Sequence, residues 1–93
     1  MNARPEGTSP PANLRNLGPK SSAWLQSVGL DSIDQIRRIG PVAAYRLVKQ
    51  RHPQVSLNLL WALAAGIGDR DWRELTPHEK QSLLTQLEED SPH

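Results

Sequence analysis

One phrase occurs twice in this chain, 22 residues apart: Leu14-Arg15-Asn16-Leu17-Gly18-Pro19 and Ile36-Arg37-Arg38-Ile39-Gly40-Pro41. In each copy a glycine, free to turn sharply or enter left-handed geometry, precedes a proline whose fixed φ suits the first helical position. Apolar residues at helical spacing follow both copies. A chain punctuated in this way is built from short helices joined at tight corners. Its 93 residues hold one small domain of them.

At a helix start the first backbone N–H groups have no intrahelical acceptor and the dipole is positive, so an anion is favoured there. Cationic side chains flank both starts, Arg15 and Lys20 at the first and Arg37 and Arg38 at the second. The net charge is only +1, but residues 1–51 carry eight Lys or Arg against three Asp or Glu, and residues 52–93 three against seven. A basic half that contains both Gly-Pro corners suits a polyanion. The acidic half suits either a solvated surface or a protein-docking face.

Residues 1–13, with Pro5, Gly7, Pro10 and Pro11 and no apolar period, read as a disordered arm, residues 14–90 as the helical domain, and 91–93 as a tail. After Pro19, the residues Trp24, Leu25 and Val28 form an apolar stripe, and Gly29-Leu30 has the pattern of a glycine C-terminal turn. Ser32 and Gln35 have capping-box spacing ahead of Ile33, Ile36 and Ile39, and this helix is expected to stop at Gly40. Pro41 restarts the chain with Ala44, Leu47 and Val48 inward and Arg46 and Lys49 outward, as far as His52-Pro53. Ser56 caps a run, Leu57 to Ala65, that is apolar nearly all round and therefore central. Gly66 and Gly68 mark its end, and Thr76-Pro77-His78-Glu79 opens a last helix through Leu83, Leu84 and Leu87.

Several classes of function are set aside on the same grounds. Without cysteine there are no disulfides or thiolate metal ligands, and His52, His78 and His93 lack paired spacing, so no metal is expected. No run reaches the ~18 apolar residues of a membrane span, and no signal-peptide core is present, so a cytoplasmic protein is expected. Asp69, Asp71 and Glu74 are accompanied by no phosphate loop or nucleophile elbow; they read as surface partners of Arg70 and Arg73, in a chain with no enzymatic activity and no cofactor. Trp24, Trp61 and Trp72 are expected in the core rather than stacked on bases, and Asn58 as a satisfied buried amide.

The segment Asn16-Leu17-Gly18-Pro19-Lys20-Ser21, through Leu25 and Gly29-Leu30, resembles the second half of a helix-hairpin-helix motif. It is similar to the corresponding stretch in the C-terminal domain of the RNA polymerase α chain. In that class, hairpin amides and a nearby Lys or Arg hold DNA phosphates without reading bases. A wider resemblance rests on Leu17 to Ser21, Gly29-Leu30, Gly40 to Tyr45, Val55 to Leu63 and Trp72 to Leu75, which look like the C-terminal domain of the TfoX/Sxy family. That resemblance implies a bacterial regulator of DNA uptake competence, a family whose members usually carry a separate α/β N-terminal domain that these 93 residues do not contain.

The expected architecture is thus all-α: a compact orthogonal bundle of about five short helices with two helix-hairpin-helix-like turns. The expected function is a non-enzymatic, monomeric regulatory module that contacts the backbone of double-stranded DNA without base specificity, or docks on a DNA-associated protein. Arg15, Asn16, Gly18, Lys20, Ser21, Arg37, Arg38 and Gly40 are the candidate contacts. The alternative is a protein-interaction adaptor that touches no nucleic acid and uses its acidic C-terminal half or an exposed apolar groove.

Overall fold

The structure is a computed structural model that describes residues 11–89. Four α-helices make up the described chain, with no strand among the described residues: α1 (Pro19–Ser27), α2 (Ile33–Arg51), α3 (Leu57–Ile67) and α4 (Pro77–Glu89). Short 3-10 turns at Pro11–Asn13 and Trp72–Glu74 complete it. The disorder expected of residues 1–10 lies outside the described residues. Pro11–Asn13, placed in the same arm by sequence, is instead a turn with Pro11 fully buried.

Each helix end follows from local chemistry. α1 ends in a Schellman turn, with Gly29 at φ 88 and the Leu30 N–H donating back to the Leu25 carbonyl at 3.0 Å. Ser32 and Gln35 form the capping box of α2, Ser56 Oγ accepts from the Asn58 N–H at 3.2 Å to start α3, and Thr76 and Glu79 exchange two hydrogen bonds at the start of α4. α3 ends in a second Schellman turn. There the left-handed residue is Asp69 at φ 56, and the Arg70 N–H reaches the Ala65 carbonyl at 2.8 Å.

The expectation of about five helices is corrected to four, because the two helices read on either side of Gly40 run together as α2, bent where Gly40 leaves helical geometry at φ 87, ψ 166. The two copies of the repeated phrase therefore adopt different backbones. Ile36 to Ile39 are helical, whereas Leu14 to Leu17 form a turn in which Asn16, not the glycine, is left-handed at φ 76. Gly18 is extended, at φ −106 and ψ −176. A pair of equivalent hairpin turns is absent from the described residues.

α3 is the central element and packs chiefly against α2. Leu60, Leu63 and Ala65 are sealed from solvent, joined from α1 and α2 by Leu25, Ile33, Ile36, Ala44 and Val48. Gly66 is in closest approach to the first turn: a Cβ there would run into the Arg15 carbonyl oxygen and meet the Leu14 side chain at 3.1 Å. Ile39, read as one apolar side with Ile33 and Ile36, and Leu47, expected inward, are 40% and 38% exposed. At about 100° per residue Ile39 lies about 120° round the helix from Ile33, so it leaves the buried face. α4 buries no residue completely and rests on the core through the half-buried Leu83, Leu84 and Leu87.

Candidate nucleic-acid interface

The first Gly-Pro corner opens onto a groove of about 470 Å³. Asn16, Lys20, Ser21 and Trp24 form one wall, the segment Gln54 to Ser56 with Asn58, Leu59 and Ala62 of α3 forms the other, and Trp72 stands at its edge. α1 begins with Gly18 at its N-cap and no side-chain cap, and Pro19 contributes no N–H. The Lys20 and Ser21 amides precede the first intrahelical bond, from the Ser22 N–H to the Gly18 carbonyl at 3.0 Å. No acidic residue stands in this first turn, and the Lys20 ammonium lies over the Trp24 ring at 5.3 Å.

Asn16 ties the first wall to the second and to the edge. Its Nδ2 donates to the Arg70 carbonyl at 2.8 Å and the Ala62 carbonyl at 3.5 Å, and its Oδ1 accepts from the Trp72 N–H at 3.2 Å. Arg15 adds a donation to the Asp69 carbonyl at 3.0 Å. Lys49 Nζ donates to the carbonyls of Pro53 and Val55 at 2.7 and 2.9 Å, which holds the second wall in place. His52 supports Trp24 from behind, with ring centroids 5.8 Å apart and its Nε2 3.1 Å from Ser27 Oγ.

Of the candidate contacts, Asn16, Lys20 and Ser21 line this groove, with Gly18 at the helix start beside it and Arg15 adjoining through Asp69. Arg37, Arg38 and Gly40 are not among its lining residues. Arg38 is paired with Asp34 at 3.3 Å, with both side chains largely in solvent. Pro41 borders a second groove with Ala64, Ile67, Leu75 and Leu83. Because α3 turns about 100° per residue, Asn58, Leu59 and Ala62 face nearly opposite to Ala64, Ile67 and Gly68. The two Gly-Pro corners thus serve different grooves.

Two expectations about the walls are corrected. Asn58 is exposed rather than buried, and Trp72 is 44% exposed rather than a core plug, because Leu75, three residues on, takes the inward slot. The sequence signal for the second was present: Trp72 lies between Asp71 and Arg73, in a polar loop. Those two neighbours pair at 3.0 Å, and the Arg73 guanidinium and N–H hold the Asp71 carboxyl down at about 2. No group of His, Cys, Asp or Glu among the described residues could hold a metal ion, and no described helix is long and apolar enough to cross a membrane.

The TfoX C-terminal domain family matches residues 11–87, nearly the whole chain. The chain belongs to the TfoX C-terminal domain family. No curated protein matches it. Its fold is similar to the crystal structure of an uncharacterized protein from Listeria monocytogenes, with a TM-score of 0.76 at 21% identity, covering 88% of this chain and 96% of the other. The match to the TfoX C-terminal domain begins at Pro11, the first described residue, where the structure also places the buried proline turn.

Proposed function

We propose that this TfoX C-terminal domain is a non-enzymatic, cytoplasmic regulatory module of the competence-regulator type that holds nucleic-acid phosphates at the start of α1. The observation that carries this reading is the open helix start beside Lys20. α2, α3 and α4 each have a side-chain oxygen on their first free amides, whereas α1 has none and a cation in its first turn. Two backbone N–H groups, the positive dipole end and an ammonium together suit a phosphate oxygen. Such contacts position a duplex and carry no base information.

The test is the salt dependence of binding to a blunt DNA duplex, followed by fluorescence anisotropy. Binding is expected to be weak and independent of sequence, and Lys20→Ala reduces the slope of log K against log salt by about one unit. Arg37 and Arg38 lie outside the groove, so replacing both with alanine leaves that slope unchanged. A Lys20→Ala slope equal to that of the parent chain removes the phosphate reading. Absence of binding to duplex and single strand alike at low salt does the same and leaves a protein-docking role.

A further inference from the structure

Trp72 is not absorbed by the fold. Its indole belongs neither to the buried core nor to the half-buried residues packed on it. Its backbone, however, is held on several sides. The Trp72 N–H donates to Asn16, Asp71 Oδ1 accepts from the Arg73 N–H at 2.9 Å, and Glu74 Oε1 accepts from the Asp71 N–H at 2.8 Å. A large ring left 44% exposed on a fixed backbone has only its two side-chain torsions to order when a ligand covers it.

The groove beside this ring has a definite chemistry. None of its lining residues is Asp or Glu, in a chain with ten of them, while Lys20 supplies a positive charge. Trp24, the second indole, already carries the Lys20 ammonium and the His52 ring, and no ring or cation is seated on Trp72 among the described residues. Gln54 and Asn58 present amides that can both donate and accept. A volume of about 470 Å³ falls in the range of small-ligand sites and accommodates about one nucleotide. A paired base hides its faces in the duplex stack, so only an unpaired base can use an exposed indole.

We propose that this groove binds single-stranded nucleic acid, with an unpaired base stacked on Trp72 and a neighbouring phosphate at Lys20. The inference rests on the phosphate reading of α1 and adds to it a preference for unpaired strands. Nucleic acid is favoured over an acidic peptide because an indole face accepts any base, and the groove's amides match base edges.

The experiment compares a fluorescein-labelled oligothymidylate of about twelve nucleotides with a blunt duplex of the same length, using the full chain at low salt. The single strand is expected to bind about tenfold more tightly than the duplex. Trp72→Ala weakens single-strand binding on the order of ten- to a hundredfold, while duplex affinity and the helical circular-dichroism spectrum are retained. Trp72→Phe recovers most of the loss. Equal single-strand affinity in the parent and Trp72→Ala overturns the proposal, as does a single strand that binds no better than the duplex. If duplex binding then persists and depends on Lys20, the phosphate reading survives alone; if neither nucleic acid binds, both readings fall. Capture of an acidic, tryptophan-containing peptide without oligothymidylate binding also overturns it.

Discussion

At Gly40 the backbone occupies a region, φ 87 and ψ 166, that glycine alone enters without strain. Gly18, the matching letter of the repeated phrase, is extended, and a Cβ there would meet nothing within 4 Å. Urea denaturation should therefore separate the two. Gly40→Val loses about 1–3 kcal/mol through backbone strain, whereas Gly18→Val, unstrained, loses only the preference for glycine at the α1 N-cap, about 0.5–1 kcal/mol. Equal losses would contradict the backbone assigned to the first turn. The shared Gly-Pro concealed this difference, because the left-handed position of the first copy falls instead on Asn16, where the second copy has Arg38, and the Asn16 amide is satisfied by Ala62, Arg70 and Trp72. Nothing within the phrase points to partners so far along the chain.

Among the elements, helix starts were the most legible features, since a cap depends on residues two or three apart. Ser32, Ser56 and Thr76 each hold the amide that their spacing implied. How α4 is attached was not legible, because its fastenings come from distant elements. Arg46 donates to the Leu87 carbonyl, Lys80 lies over the Trp61 ring at 5.5 Å, and Arg70 pairs with Glu79 at 2.6 Å. The Arg70 guanidinium, helped by the Thr76 N–H, lowers the Glu79 carboxyl from 4.5 to about 2. A carboxyl that is more acidic folded than unfolded stabilises the fold above its unfolded value, and the gain disappears as pH falls through the folded value. Stability measured by thermal denaturation should therefore decline between about pH 4.5 and pH 2. Glu79→Gln should flatten that part of the profile; an unaltered profile would mean that Arg70 and Glu79 do not pair in solution.

For the whole molecule, the all-α class and the central place of α3 were readable from apolar spacing alone, as was the resemblance to the TfoX C-terminal domain from its motifs. The groove was not, because its walls come from the first turn, the start of α3 and the loop after it. The charge split also changes meaning in three dimensions. Two of the acidic half's carboxylates, Asp71 and Glu79, are engaged by arginines of the same half, so fewer remain for an outside partner than the sequence count implies.

Gly66 is where the core and the groove meet. Its Cα side faces the Arg15 carbonyl and Leu14, and the next residue along that turn is Asn16, which holds the backbone of Trp72. A methyl group at Gly66 has to push the turn outward, at a cost of about 1–3 kcal/mol. That displacement reaches Trp72 through one amide. Gly66→Ala should thus move the Trp72 backbone resonance in an NMR spectrum as well as lower the melting temperature, and an unmoved resonance would show that the two ends of the linkage are independent. A genetic screen for failed ligand capture would then recover a position that no ligand ever touches.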